Sequence, residues 1–196
     1  MKENACIILM GIKHCGKTTQ GRLLAEKLKA DFYDTDVVIK EIKGKGAREI
    51  YKEEGKEAFM RAEKEACLFI KEKVQEKKEG AIIATGGGIC GNKEALDLLK
   101  ELGAFVFLQA PEKIAADRIM REATVMPDKS IANLPAYIAD KKPSSLEEAR
   151  RLFHDFYLER TSIYSSIADI CVNLANATKE VNTKRILEAV AAKGKF

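Results

Sequence analysis

Several features that would indicate particular classes of protein are scarce in this sequence of 196 residues. The chain has only four prolines and thirteen glycines, which excludes collagen-like and low-complexity architectures. Its N-terminal apolar stretch, Ala5 to Met10, is far shorter than the ~20 residues that a membrane-spanning helix needs. The stretch also lacks a cleavage-site pattern, so we expect neither a membrane segment nor a signal peptide.

The cysteines do not form a pattern that binds metal or pairs into disulfides. They are five in number, and therefore odd, and they lie far apart along the chain, at Cys6, Cys15, Cys67, Cys90 and Cys171. Because no CxxC pair occurs, we expect neither a zinc site nor a disulfide framework. This cysteine usage favours a reduced, cytoplasmic protein.

A strong charge of one sign is also missing. Lys and Arg number 34 and Asp and Glu number 30, which gives a formal net charge of +4. The densest basic run, from Lys71 to Lys78, is interleaved with Glu72 and Glu76 and is typical of a solvated helix face. We therefore expect no nucleic-acid and no membrane partner.

The distribution of apolar residues predicts an α/β fold. Short apolar runs alternate with longer amphipathic ones, which is the pattern of a parallel sheet flanked by helices. The length favours one domain over 1–196, a three-layer sandwich with five parallel strands. The expected strands are Cys6–Met10, Ala30–Tyr33, Ala81–Ala84, Ala104–Leu108 and Ala168–Val172. The principal expected helices are Lys17–Lys29, Glu57–Lys73, Leu146–Tyr164 and Lys179–Ala192.

One polar segment, about 121–145, interrupts this alternation. It carries Pro127, Pro135 and Pro143 and lies between two expected helices. A connection of this size in a compact domain is usually a lid, a binding loop or a disordered excursion. We interpret it as a mobile lid inserted into the domain.

The clearest motif is a phosphate-binding loop between the first strand and the first helix. Residues 11–19 read GIKHCGKTT and match GxxxxGK[ST] in the strand–loop–helix context that the motif requires. Gly11 and Gly16 allow successive N–H groups to turn inward, and the following helix directs its positive dipole end at the same anion. Lys17 would reach the β- and γ-phosphates, and the Thr18 hydroxyl would coordinate Mg²⁺. Cys15 is expected to be a small filler.

Two further motifs follow the second and third expected strands. Asp34 and Asp36 lie beyond the carboxyl end of a parallel strand, where ligands bind in such sheets. One carboxylate could hold Mg²⁺ through water while the other accepts a proton from a hydroxyl. The alternative is that one of them only caps the helix that begins near Val37. Gly86, Gly87 and Gly88 would let a small ligand approach bare backbone N–H groups.

Taken together, these motifs resemble the shikimate kinases, a family of P-loop kinases like those of nucleoside monophosphates. The resemblance covers nearly the whole chain, in order and in spacing. It rests on Gly11–Thr19, Asp34-Thr35-Asp36, Phe59 with Glu63, Gly86–Gly88, and Glu159-Arg160 followed by Ile163-Tyr164.

The resemblance implies that the γ-phosphoryl group of ATP is transferred to the 3-hydroxyl of shikimate. It implies Lys17, Asp34 and Asp36 as catalytic residues, with Asp34 and Thr18 at Mg²⁺ and Asp36 on the substrate hydroxyls. The nucleotide-binding residues would be Gly11, Lys13, Cys15, Gly16, Lys17, Thr18, Thr19, Arg118 and Lys142. The acceptor-binding residues would be Asp36, Met60, Arg61, Gly86, Gly87, Gly88 and Arg160.

The chain departs from the family pattern at two acceptor-facing positions. The family usually has an arginine immediately after the Phe of its substrate-binding helix, and this chain has Met60 there, followed by Arg61. A step of one residue turns a helix face by about 100°, so we expect Arg61 to point elsewhere. The lid of the family carries an Arg-Pro pair, for which this chain offers Met126-Pro127 or, in the alignment that we prefer, Lys142-Pro143. Lysine supplies charge without the planar fork of arginine.

These departures leave three hypotheses for function. The first is a monomeric shikimate kinase, with ATP and Mg²⁺ as cofactors and a small-molecule substrate. The second is a kinase of the same fold that acts on another small polyol, which Met60 favours. The third is a nucleotide-binding protein without transfer activity, and the two retained carboxylates, Asp34 and Asp36, argue against it.

Overall fold

The structure, a computed structural model, describes residues 5–194. The ends of the predicted domain, 1–4 and 195–196, lie outside the described residues, and the division into one domain stays a prediction. A sheet of five parallel strands lies at the centre of the fold, and its strands are β1 (Cys6–Met10), β2 (Asp31–Asp34), β3 (Ala81–Ala84), β4 (Gly103–Gln109) and β7 (Ile170–Asn173). Their order in the sheet is β2-β3-β1-β4-β7. The predicted parallel sheet is confirmed, with shifts of one or two residues at the ends of three strands.

The strands of the sheet centre are apolar along their whole length because helices cover both faces. Every residue of β1 and β3 is buried, as expected for parallel strands between two helical layers. The register pairs Leu9 of β1 with Ala84 of β3 and with Val106 of β4. The carboxyl ends of β1, β2 and β3 therefore lie at one edge of the sheet, where the three predicted motifs follow them.

Eight helices flank the sheet or its edge within residues 5–194. They are α1 (Lys17–Leu28), α2 (Thr35–Lys43), α3 (Ala47–Lys77), α4 (Lys93–Lys100), α5 (Glu112–Glu122), α6 (Ala136–Ala139), α7 (Leu146–Ile167) and α8 (Lys179–Ala192). A 3₁₀ turn spans Ile89–Gly91. None of the helices in this described part of the chain is long and apolar enough to cross a membrane.

The helix α3 is longer than its predicted range Glu57–Lys73. It begins at Ala47, and its path is interrupted at Gly55, whose φ of 88° is not helical. The residues around Gly55 are mostly polar, so the helical spacing of apolar residues, on which the prediction depended, is not visible there. Ile50, in the segment before the interruption, is nonetheless buried in the core.

The predicted lid contains regular structure. A hairpin of β5 (Thr124–Val125) and β6 (Ile131–Ala132) is followed by the short helix α6. Leu134 and Ile138 are buried in the hydrophobic core. Of the three interpretations of this segment, the packing supports a lid or a binding loop.

Candidate active site

The loop between β1 and α1 has the backbone that the phosphate-loop motif predicts. Gly11 and Gly16 adopt φ of 148° and 104°, values that side chains rarely allow. A Cβ at Gly11 would also lie 2.7 Å from the carbonyl oxygen of Leu108. Glycine is therefore needed at Gly11 for both conformation and space, and at Gly16 for conformation.

Lys17, the first residue of α1, lies with its ammonium group inside the loop. Its Nζ donates hydrogen bonds to the carbonyl oxygens of Gly11 and Ile12, both at 2.9 Å. The thiol of Cys15 lies 3.8 Å from the same nitrogen and is 2% exposed, which fits the expected role of a filler. The half-buried Lys13 belongs to the same loop, and burial together with the charge of Arg48 lowers its pKa.

Asp34 joins the phosphate loop to the second motif. Its Oδ2 accepts a hydrogen bond of 2.6 Å from the Thr18 hydroxyl, and its Oδ1 accepts one of 3.0 Å from the N–H of Asp36. The second bond makes Asp34 the N-cap of α2. Because β2 ends at Asp34 and α2 begins at Thr35, the expected helix start near Val37 is wrong by two residues. Asp34 both caps the helix and contacts the candidate metal-binding hydroxyl.

Asp36 is an exposed residue in the first turn of α2. The protein atoms around it remove part of its hydration and raise its pKa, and the charge of Asp34 raises it further. The charges of Lys17 and Lys13 oppose this shift. Asp36 is thus a stronger base than a free aspartate.

Each glycine of the triple-glycine loop lies against a different part of the site. The N–H of Gly86 donates a hydrogen bond of 2.9 Å to the Thr35 hydroxyl, between the two aspartates. A Cβ at Gly87 would lie 2.8 Å from the backbone nitrogen of Lys13 in the phosphate loop. A Cβ at Gly88 would lie 3.9 Å from both terminal nitrogens of Arg160. The loop therefore brings the aspartate pair, the phosphate loop and Arg160 together.

Of the side chains expected to bind the acceptor, Arg160 lies beside the glycine loop. Arg160, on α7, donates a hydrogen bond of 3.0 Å from Nη1 to the carbonyl oxygen of Gly87. The half-buried Met60 lies on α3, and its carbonyl oxygen accepts a hydrogen bond of 2.9 Å from the side chain of Asn92. Arg61 is exposed on the same helix, as the turn of about 100° per residue predicts.

Glu63 is a site residue whose role the sequence analysis missed. Its side chain is 1% exposed, its Oε2 accepts a hydrogen bond of 3.0 Å from Asn92, and its Oε1 is buried without a hydrogen-bond partner. Burial raises its pKa to about 7, with a smaller contribution from Asp36. A Cβ at Gly86 would lie 3.1 Å from Oε1 of Glu63 and 3.2 Å from Oδ1 of Asp36. The two carboxyl groups therefore face the same point of the glycine loop.

A signal for Glu63 was present in the sequence. It is a charged residue on the buried face of α3, which also carries the core residues Ala62, Ala66 and Ile70. A carboxyl group within an otherwise apolar helix face is rarely buried unless it has a specific partner. Its partner Asn92 carried no comparable signal, because an asparagine before a helix is usually only a cap, which Asn92 also is for α4.

A cleft of about 220 Å³ opens beside the phosphate loop. Arg118 lines it, together with Cys15, Gly16 and Thr19 from the loop and Asn176 from the segment after β7. Arg118 also donates a hydrogen bond of 2.7 Å to the carbonyl oxygen of His14. Lys142 is exposed beyond α6 and is not among the described residues that line this cleft.

The oxygen donors of Thr18 and Asp34 fit a magnesium ion. Hydroxyl and carboxylate oxygens are hard ligands, and Mg²⁺ keeps several waters and is held by few protein groups plus substrate phosphates. Within residues 5–194 no cluster of three or more His, Cys, Asp or Glu side chains could hold a metal by itself. Thr18 and Asp34 are thus suited to a magnesium ion that binds together with a nucleotide.

The chain is similar to shikimate kinases in sequence and in structure. The family model described as shikimate kinase matches residues 13–191. The shikimate kinase of Aquifex aeolicus is 33% identical over 181 residues, which cover 92% of this chain and 93% of that one. A crystal structure of shikimate kinase from the same organism superposes with a TM-score of 0.68 at 27% identity, covering 96% and 97% of the two chains. A shikimate kinase from Acinetobacter baumannii in complex with shikimate gives a TM-score of 0.77 at 24% identity, covering 98% and 96%.

Proposed function

The chain belongs to the shikimate kinase family, and we propose that it transfers the γ-phosphoryl group of ATP to the 3-hydroxyl of shikimate. The family makes it a phosphotransferase that uses ATP and an alcohol acceptor. One observation carries the assignment of the site. The three glycines after β3 contact the phosphate loop, the aspartate motif and Arg160, so nucleotide-facing and acceptor-facing groups meet at one loop.

For the nucleotide, we assign the phosphates of ATP to the phosphate loop and its adenine ring to the cleft that Arg118 lines. Lys17 exchanges its bonds to the carbonyls of Gly11 and Ile12 for the phosphate oxygens. This interaction grows as charge develops on the transferring group, which is why it lowers the barrier. Thr18 and Asp34 hold Mg²⁺, which neutralises phosphate charge when it is bound.

On the acceptor side, we assign proton transfer to Asp36. As the bond from the acceptor oxygen to the γ-phosphorus forms, the bond from that phosphorus to the bridging oxygen of ADP breaks. Asp36 takes the proton of the acceptor hydroxyl, and its raised pKa makes it the stronger base. Arg160 binds the carboxylate of shikimate, and the N–H groups of the glycine loop line the pocket.

A second candidate acceptor is a small polyol without a carboxylate. The specific observation in its favour is Met60, which stands where the family usually has a second carboxylate-binding arginine. Loss of one such charge-assisted contact would weaken binding of a carboxylate by roughly 2–4 kcal/mol. A neutral polyol would not experience this loss.

The test is a coupled assay of ADP release with shikimate, quinate and gluconate side by side, and with inositol as a polyol that has no carboxylate. We expect the highest kcat/KM for shikimate. Lys17→Ala should lower kcat by about 10³ or more, whereas Lys27→Ala, an exposed lysine on the same helix, should leave it unchanged. Preference for an acceptor that has no carboxylate would favour the second candidate. A Lys17→Ala variant with more than a tenth of the wild-type rate would contradict the phosphate-loop assignment.

We further propose that the protein acts as a monomer, without nucleic-acid or membrane partners. The nearly balanced charge supports the absence of a nucleic-acid partner, since such partners favour a strongly basic surface. Sedimentation equilibrium at micromolar protein would test the oligomeric state, and a dimer mass would contradict it.

A further inference from the structure

The lid segment contacts the acceptor side through one aromatic side chain. Tyr137 lies on α6, and its ring centroid is 3.9 Å from Cζ of Arg160. Phe156, on α7, meets the ring of Tyr137 edge-on at a centroid distance of 4.8 Å. The centroid of Phe156 also lies 5.7 Å from the same guanidinium carbon. Arg160 therefore has one aromatic neighbour from the lid and one from its own helix.

The guanidinium group of Arg160 is in contact with the glycine loop as well. Nη1 donates a hydrogen bond of 3.0 Å to the carbonyl oxygen of Gly87. Stacking of a guanidinium face on a ring uses none of its five N–H groups. The stack and this single bond thus restrict the plane of the group, and the remaining N–H groups are left to bind a carboxylate in its forked geometry.

The position of Tyr137 is set by the packing of the lid. Leu134 and Ile138, on either side of it in the chain, are buried in the core. From α3, Arg48 donates a hydrogen bond of 3.3 Å to the carbonyl oxygen of Leu134, and the Tyr51 hydroxyl donates one of 2.7 Å to Asp140. The ring is thus held against Arg160 from both sides of α6.

We propose that Tyr137 is a positioning residue for acceptor binding, which holds the guanidinium group of Arg160 so that this single arginine can bind the acceptor carboxylate. The proposal rests on the proposed function. Met60 leaves the pocket without the second arginine that the family usually has, so more of the binding depends on Arg160. An arginine loses much rotamer freedom when it binds, and a group already held by stacking has less to lose.

The test compares Tyr137→Leu, which removes the ring, with Tyr137→Phe, which keeps it. For Tyr137→Leu we expect the KM for shikimate to rise about 5- to 20-fold. The kcat and the KM for ATP should stay within about twofold, a split that general loss of structure would not produce. Tyr137→Phe should behave as the wild type does. In an Arg160→Gln background, Tyr137→Leu should raise the KM no further, because its effect acts through Arg160.

A second measurement does not depend on turnover. The Nε–Hε resonance of Arg160, recorded by NMR, should carry a ring-current shift that Tyr137→Phe keeps and Tyr137→Leu removes. An unchanged KM for shikimate in a folded Tyr137→Leu variant, or an unmoved resonance, would overturn the proposal. If the wild type phosphorylates no shikimate, the proposed function fails, and the resonance by itself then decides whether Tyr137 positions Arg160.

Discussion

At the scale of single residues, the proposed acceptor pocket has two acidic side chains close together. Glu63 is buried with one oxygen unpaired, and Asp36 faces the same glycine. The position one helical turn before Glu63 holds Met60, which has no charge to offset either carboxyl group. Glu63 and Asp36 are therefore two acidic groups at the same place. Arg160 is a nearby cation, and its charge lowers the pKa of Glu63.

Met60→Arg should strengthen acceptor binding. Residues three apart lie on one helix face, so an arginine at this position can reach the acceptor and the carboxyl group of Glu63. We expect the KM for shikimate to fall by about tenfold or more, since recovery of only part of the roughly 2–4 kcal/mol of one charge-assisted contact has this effect. Leu68→Arg, which adds the same charge at an exposed position of α3, is the control and should leave the KM unchanged. A raised KM in a folded Met60→Arg variant would favour a neutral polyol.

Glu63→Gln should change how stability depends on pH. The pKa of Glu63 is raised from 4.5 to about 7 in the folded protein, so the folded state binds this proton more tightly than the unfolded state does. The stability that it contributes is present below pH ~4.5 and is lost as the pH rises through about 7. The full loss is about 3 kcal/mol.

Urea unfolding at pH 5 and pH 8 checks this prediction. The free energy of unfolding of the wild type, measured relative to that of Glu63→Gln, should be lower at pH 8 than at pH 5. Glu57→Gln, at an exposed position of the same helix, should show no such change relative to the wild type. An equal difference at both pH values would mean that Glu63 titrates near its ordinary pKa.

At the scale of elements, α6 is connected to the first part of α3. Arg48 donates hydrogen bonds to the carbonyl oxygens of Asn133 and Leu134, and Tyr51 donates one to Asp140. This part of α3 precedes the interruption at Gly55. The predicted lid is thereby joined to the segment of α3 that precedes Met60 and Glu63.

Loss of these contacts should loosen the lid without unfolding the sheet. Each net hydrogen bond contributes about 1 kcal/mol, so in Arg48→Met we expect amide exchange across 133–140 to become about fivefold faster or more. Amides of β1 and β3 should exchange as in the wild type. Hydrogen exchange read by mass spectrometry provides the measurement, and Arg151→Met, at an exposed position of α7, is the control. Faster exchange throughout the protein would mean that Arg48 stabilises more than the lid.

At the scale of the whole molecule, the fold depends on close contact between the two central strands β1 and β4. Gly103 begins β4 opposite Cys6. A Cβ at Gly103 would lie 1.9 Å from the carbonyl oxygen of Cys6 and 2.5 Å from its nitrogen. Both atoms belong to the backbone of a buried strand, so neither can move aside without disturbing the sheet.

Gly103→Ala should therefore destabilise the protein strongly. Overpacking costs about 1–3 kcal/mol and occasionally more, and in a chain of this length each kcal/mol lowers the Tm by roughly 2–4 °C. We expect a fall in Tm of about 6 °C or more, measured by circular dichroism. Gly91→Ala, where a Cβ would meet no atom within 4 Å, should leave the Tm almost unchanged. Equal effects of the two substitutions would contradict the steric account.

The sequence by itself determined the strand–loop–helix unit at Gly11–Lys17, the parallel sheet and the position of the aspartate motif. These features depend on local sterics, on capping and on the apolar pattern, all of which act over a few neighbouring residues. The predicted range Glu57–Lys73 shows the limit of such patterns, because Gly55 breaks the period although the helix begins at Ala47.

Only the tertiary structure decided which distant side chains meet. The stacking of Tyr137 on Arg160 and the bond between Thr35 and Gly86 each join distant parts of the chain, and the burial of the unpaired oxygen of Glu63 depends on the residues packed around α3. Such contacts depend on how helices and loops dock, and no local pattern specifies docking. The physical reason is that burial, which orders Tyr137 and shifts the pKa of Glu63, is a property of the assembled core and not of the segment that carries the residue.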